Sequence, residues 1–214
     1  MPRIRIGEPG AVRILGMPSV LFVCTGNICR SAFAERLAVR LASELPAGHP
    51  ARRWTFSSAG IAGLEGWTMC PEMEAELVAR GGSAEGFTAH HLTATMARSA
   101  DLILALEPVH RAYVLEEWPA LVRRTWLLGQ AARVAPALAG AGAGAGVVVT
   151  PGQAGGGVAD DGREGGVVDL IGALQRHRDR PLESDGIADP YHRGPAAAAK
   201  AASEIEAALR ALLG

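Results

Sequence analysis

The residues best suited to chemistry lie together in Cys24-Thr25-Gly26-Asn27-Ile28-Cys29-Arg30-Ser31. A thiol and a guanidinium six positions apart can act as nucleophile and anion clamp. The thiolate attacks an electrophilic centre, and the planar fork of Arg30 holds two oxygens of a tetrahedral dianion. The pair alone is weak, because a chain with three Cys and 20 Arg among 214 residues supplies about 0.3 such pairs by chance. Its setting is what gives it weight. Val20-Leu21-Phe22-Val23 is a short apolar run suited to a strand buried on both faces. Beyond the loop, residues 31–43 carry Phe33, Leu37 and Leu41 at helical spacing. A loop between such elements falls at the carboxyl edge of a sheet, where open α/β folds place ligands. Gly26 and Asn27 tolerate the positive φ angles that curl a chain with its N–H groups inward. A helix opening at Ser31 adds its dipole, and the same field favours the thiolate form of Cys24. The bland alternative is a buried cysteine in an ordinary strand-to-helix turn with an incidental arginine.

The elements that must hold this loop follow from the remaining pattern. Strands are expected over 54–57, 102–106 and, more weakly, 124–127. Helices are expected over 71–80, stopped by Gly81-Gly82, and over 107–118, 130–138, 167–178 and 196–213. Strands alternating with helices of this length predict an α/β fold with a parallel sheet and helices on both faces. Residues 1–16, with Gly7, Pro9 and Gly10 and no sustained period, are expected to form a flexible extension or a short edge element. Residues 17–214 then make one domain, interrupted at about 139–166 by a Gly/Ala-rich segment expected to be a mobile surface loop. No internal repeat is present.

Composition narrows the function. The 21 basic and 22 acidic side chains leave a formal charge of −1, which offers no broad basic face for nucleic acid or anionic lipid. Three cysteines, Cys24, Cys29 and Cys70, are too few for a disulfide framework, and no zinc ligand set gathers around them. The uncharged stretch 134–159 is long enough to span a bilayer, but it is built of Gly and Ala and broken by Pro136 and Pro151. These features point to a cytoplasmic chain without membrane or nucleic-acid partners, and they call for no cofactor and no metal.

The cysteine loop resembles the phosphate-binding signature of the low-molecular-weight protein tyrosine phosphatases, with Val23 rather than His before the cysteine. Ser58-Ala59-Gly60, Ala100-Asp101-Leu102-Ile103-Leu104 and Asp189-Pro190-Tyr191 resemble further motifs of that family in the same order. The resemblance covers roughly 19–130 and 185–213. Cysteine first and acid last also separates the chain from the larger tyrosine phosphatases. The resemblance implies a three-layer, flavodoxin-like or Rossmann-like fold around a four-stranded parallel sheet. It implies a phosphotyrosine phosphatase in which Cys24 forms a phosphocysteine and Asp189 is general acid, then base. The Arg30 side chain and the amides of Thr25, Gly26, Asn27, Ile28, Cys29 and Arg30 would hold the phosphoryl oxygens.

Ser31 would hydrogen-bond the Cys24 sulfur, Asn27 would brace the loop through Ser58, and Tyr191 would line the pocket with Leu64 and His192. Cys29 would either form a protective disulfide with Cys24 or fill the rear of the loop. Ile28 follows the phosphotyrosine pattern, whereas relatives acting on phosphoarginine carry Thr there. The implied partner is a phosphotyrosine protein, with a tyrosine kinase among the candidates; the oligomeric state stays open. Alternatives are a protein-arginine phosphatase, a non-catalytic phosphate-binding module and an arsenate reductase, which needs two cysteines downstream where this chain has Cys70. His90 and His91 are expected to be solvated, the tryptophans to pack in or near the core, and Cys70 to be inert.

Overall fold

Apolar strands followed by amphipathic helices build the scaffold, seen here in a computed structural model that describes residues 4–5, 13–14, 17–142 and 169–214. β1 (Ile4–Arg5) and β2 (Arg13–Ile14) pair antiparallel with each other. They are no edge of the main sheet, and the other residues of 1–16 lie outside those described. The main sheet consists of β3 (Ser19–Cys24), β4 (Thr55–Gly60), β5 (Leu102–Ala105) and β6 (Thr125–Leu127), all parallel in the order β4-β3-β5-β6. The strand following β3 in sequence pairs on one side of it and β5 on the other. The chain therefore reverses direction across the sheet at the carboxyl end of β3, a topological switch point of the kind that holds ligands.

Seven helices are described: α1 (Arg30–Glu44), α2 (Pro71–Ala79), α3 (Ala94–Ser99), α4 (Pro108–Glu117), α5 (Leu128–Gly142), α6 (Leu170–Arg176) and α7 (Gly194–Leu213). Alternation along the strands sends Val20, Phe22, Leu102 and Leu104 to one face, beneath Phe33, Leu37, Ile171 and the Ile205–Leu209 stripe of α7. Leu21, Val23 and Ile103 face the other way, against Met96, Ala97 and Val114 of α3 and α4. Helices thus cover both faces, as the alternating pattern predicts.

Three boundaries differ from the sequence expectation. β4 continues through Ser58-Ala59-Gly60, where a run of small residues gives no apolar signal. α3 is six residues long, too short to show a period, and starts where the Thr93 hydroxyl accepts the Met96 N–H. α5 runs through Pro136 to Gly142, so the Gly/Ala-rich segment begins within a helix; its remainder, 143–166, lies outside the described residues. Trp67, expected to pack, is 58% exposed. Among the described residues no helix is long and apolar enough to cross a membrane.

Candidate active site

β3 ends at Cys24 and α1 begins at Arg30, so the loop between them has to reverse over five residues. Asn27 makes this possible by adopting a left-handed φ of 57°, one of the two conformations the sequence anticipated; Gly26 does not need one. The loop's carbonyls are taken from behind. Ile61, Ala62, Leu64 and Cys70 donate their N–H groups to the oxygens of Cys24, Thr25, Gly26 and Ile28 at 2.7–3.0 Å. In a trans peptide the C=O and the following N–H point in opposite directions. The amides of Thr25, Gly26, Asn27 and Cys29 therefore turn into the hollow that the loop encircles, making a nest for an anion. Gly60 is required for this fit, since a Cβ there would sit 2.3 Å from the Thr25 oxygen.

Behind the nucleophile runs a chain of hydrogen bonds with a fixed direction. The His90 backbone N–H donates to Asn27 Oδ1 (2.8 Å), which turns Asn27 Nδ2 toward Ser31 Oγ (2.9 Å) and Ser58 Oγ (2.8 Å). An amide nitrogen only donates, so both hydroxyls accept from it and must send their own protons onward. Ser58 donates to Glu35 Oε2 (2.6 Å). Ser31 Oγ lies 2.9 Å from Cys24 Sγ and 3.4 Å from the Ala59 oxygen, so its better-placed acceptor is the sulfur. The hydroxyl is therefore placed to hold the sulfur through a hydrogen bond. Burial pushes the Glu35 carboxyl above its ordinary range, opposed by the Ser58 hydroxyl.

Arg30 is almost wholly buried and stands between two carboxylates. Nη1 donates to Glu107 Oε2 and to the Ile187 carbonyl, and Nη2 pairs with Asp189 Oδ2 at 2.9 Å. Its Nε is buried without a hydrogen-bond partner. The acid segment reaches it because the Ile187 N–H donates to the Leu106 oxygen just beyond β5. Asp185, in the turn before, is clamped by Arg133 at 3.0–3.1 Å. Asp189 also accepts the Tyr191 N–H at 3.2 Å. His110, in the first turn of α4, meets Thr25 Oγ1 through Nε2 at 2.9 Å. Burial, and then the nearby Arg30 cation, lower its pKa to about 4, so the imidazole is neutral at pH 7.

Cys24, Thr25, Gly26, Asn27, Ile28, Cys29, Arg30 and Ser31 thus form one cup with Ser58 behind it, and Asp189 enters from the far end of the chain. Tyr191 is 40% exposed beside Asp189, its ring 3.8 Å from that of His192, and Leu64 packs within 3.7 Å of where a Gly26 Cβ would lie. Glu107, His110, Glu35 and Gly60 are participants to which sequence reasoning gave no role. Two neighbours add to the expectations. The Cys70 Sγ lies 2.7 Å from Cys29 Sγ. His90, whose ring meets the exposed Glu65 at 3.0 Å, also orients Asn27 through its backbone N–H.

Comparison with known proteins gives matching findings. The family described as low molecular weight phosphotyrosine protein phosphatase matches residues 19–128, a span that holds the cysteine loop and ends before Asp189. The low molecular weight protein-tyrosine-phosphatase Etp of Escherichia coli K12 is 41% identical over 112 residues, covering 52% of this chain and 70% of Etp. In fold, the chain resembles the crystal structure of Erwinia amylovora tyrosine phosphatase AmsI, with a TM-score of 0.61 and 22% identity over 92% of this chain and 91% of AmsI. It also resembles the YwlE arginine phosphatase from Geobacillus stearothermophilus, with a TM-score of 0.59 and 21% identity over 92% and 90% of the two chains.

Proposed function

The chain belongs to the low-molecular-weight protein tyrosine phosphatase family, and from that premise we propose that it hydrolyses protein phosphotyrosine through a phosphocysteine on Cys24. The reading is carried by Arg30, whose buried Nε is unpartnered while Nη2 is held by Asp189. That edge is the fork a phosphate takes in a bidentate pair. An incoming dianion occupies it together with the loop amides and releases Asp189 toward the leaving oxygen.

The thiolate of Cys24, held by Ser31, then attacks phosphorus in line, and charge spreading over the equatorial oxygens is met by Arg30 and the loop N–H groups. The P–O bond to the phenol breaks, and Asp189, which takes up a proton once the dianion has displaced it from Arg30, gives that proton to the departing oxygen. In the second half, Asp189 takes a proton from water as that water attacks phosphorus. Inorganic phosphate leaves and the thiolate is restored. Glu107 and the Ile187 carbonyl keep Arg30 in plane throughout, and neutral His110 fixes Thr25 without adding charge. Ile28, the phosphotyrosine-type residue at its position, favours an aryl over a guanidino substrate. The partner is a phosphotyrosine protein, a tyrosine kinase being one candidate, and thiolate chemistry suits the reducing cytoplasm.

Turnover of p-nitrophenyl phosphate and of phosphotyrosine and phosphoarginine peptides tests this reading. Cys24→Ser falls to background on all of them. Asp189→Ala loses about 10²–10⁴-fold on the phosphotyrosine peptide and much less on the nitrophenyl ester, whose phenolate leaves without a proton. Equal losses on both substrates contradict the acid role. A wild type that turns over nothing is a phosphate-binding module instead, and faster cleavage of phosphoarginine overturns the substrate class.

A further inference from the structure

Cys29 turns its sulfur away from the phosphate hollow and toward the N-terminus of α2, where Cys70 is the N-cap residue. The two sulfurs lie 2.7 Å apart, closer than ordinary non-bonded contact and about 0.7 Å from the ~2.05 Å of a disulfide. The backbones are already joined there, since the Cys70 N–H donates to the Ile28 oxygen at 2.7 Å. We propose that Cys29 and Cys70 are a redox-active dithiol that a hydroperoxide closes to a disulfide beneath the phosphate loop, drawing Cys29 away from Cys24 and leaving the nucleophile free.

The environment of the pair assigns the roles. Either sulfur can donate across the contact, and the Cys70 contact together with burial pushes the Cys29 thiol up. That contact lowers the Cys70 thiol below its ordinary pKa, with burial, Glu72 and Asp189 acting against it, and a place at the N-terminus of α2 also favours negative charge on its sulfur. Cys70 is 9% exposed and Cys29 4%, so the more acidic thiol is also the more accessible one. The Cys70 thiolate attacks hydrogen peroxide, breaking the O–O bond to give a sulfenic acid and hydroxide. Cys29 sulfur then displaces the sulfenic hydroxyl, its proton leaving in the water formed. Two thiols surrender two electrons and two protons, and one peroxide becomes two waters. Should peroxide oxidise Cys24 first and Cys29 capture it, the Cys70 thiolate attacks the Cys29 sulfur of that bridge. Cys24 then departs as the thiolate its loop stabilises, a good leaving group. Both routes end in the same bond.

The test treats the full-length protein with stoichiometric hydrogen peroxide, blocks free thiols and maps tryptic peptides without reduction. Cys24 and Cys29 share the peptide 14–30, and Cys70 lies in 54–80. A cross-link between those peptides, with Cys24 carrying the blocking group, is the expected result. A bridge closed within 14–30, or free thiols at 29 and 70, overturns the proposal, and neither readout depends on phosphatase activity. In parallel, oxidised wild type keeps turnover of p-nitrophenyl phosphate within about twofold. Cys70→Ser, or Cys70→Ala should the serine fold poorly, starts at wild-type turnover, loses at least about tenfold more on oxidation and recovers with dithiothreitol. Identical responses of wild type and variants contradict a role for Cys70.

Discussion

At the scale of single residues the site is governed by which atoms can only donate. The His90 N–H fixes the Asn27 amide, the amide fixes two hydroxyls, and one of those hydroxyls is left facing the Cys24 sulfur. A hydrogen bond to a charged group contributes about 1.5–3 kcal/mol, so Ser31→Ala should lower kcat roughly ten- to hundredfold with an intact fold. Steady-state kinetics beside a circular dichroism spectrum check this, and undiminished kcat would remove Ser31 from the mechanism. The octapeptide from Cys24 to Ser31 was readable because its chemistry is contiguous. Glu107 and His110 were not, since they reach Arg30 and Thr25 from 77 and 85 positions away and look like any polar residues opening a helix. The neighbour of Cys70 was hidden for the same reason, being 41 positions distant.

At the scale of elements, the loop keeps its shape because β4 and the residues after it supply the N–H groups that hold its carbonyls. Gly60, the last residue of β4, is the point of closest approach. In Gly60→Ala the new Cβ would collide with the Thr25 oxygen and push the loop amides out of register. We expect a loss of about 1–3 kcal/mol in stability, measurable by urea denaturation, with a larger proportional loss of phosphatase turnover. Wild-type turnover in this variant would show that the loop tolerates displacement. Strands and long helices were legible from apolar runs and 3.6-residue spacing, as in Val20–Val23 and in Ile205 and Leu209 of α7. The six residues of α3 and the small-residue end of β4 carry no such period, so only tertiary packing defines them.

At the scale of the whole molecule, the sheet brings the two ends of the chemistry together. Cys24 lies at the end of β3, and Asp189 arrives over β5 by way of the Ile187 bond to Leu106. Alternation of strands and helices predicts a parallel sheet, but the order β4-β3-β5-β6 depends on packing that no periodicity encodes. Bringing α4 beneath the loop buries His110, whose folded pKa of about 4 lies below its ordinary 6.5. Between those values the unfolded chain binds a proton that the folded one refuses, so stability rises with pH across this window and is lost on acidification. The difference amounts to about 3 kcal/mol. His110→Asn should therefore show a shallower dependence of unfolding free energy on pH from 6.5 down to 4, and an unchanged slope would mean that the imidazole is not held neutral.

The phosphorylated intermediate itself is the most direct test. Asp189→Ala is mixed with p-nitrophenyl phosphate, denatured within milliseconds at alkaline pH and mapped by mass spectrometry. The account predicts phosphate on the sulfur of Cys24 during turnover and its absence from Cys24→Ser. Turnover with no phosphate on the protein, or with phosphate on another side chain, would contradict it.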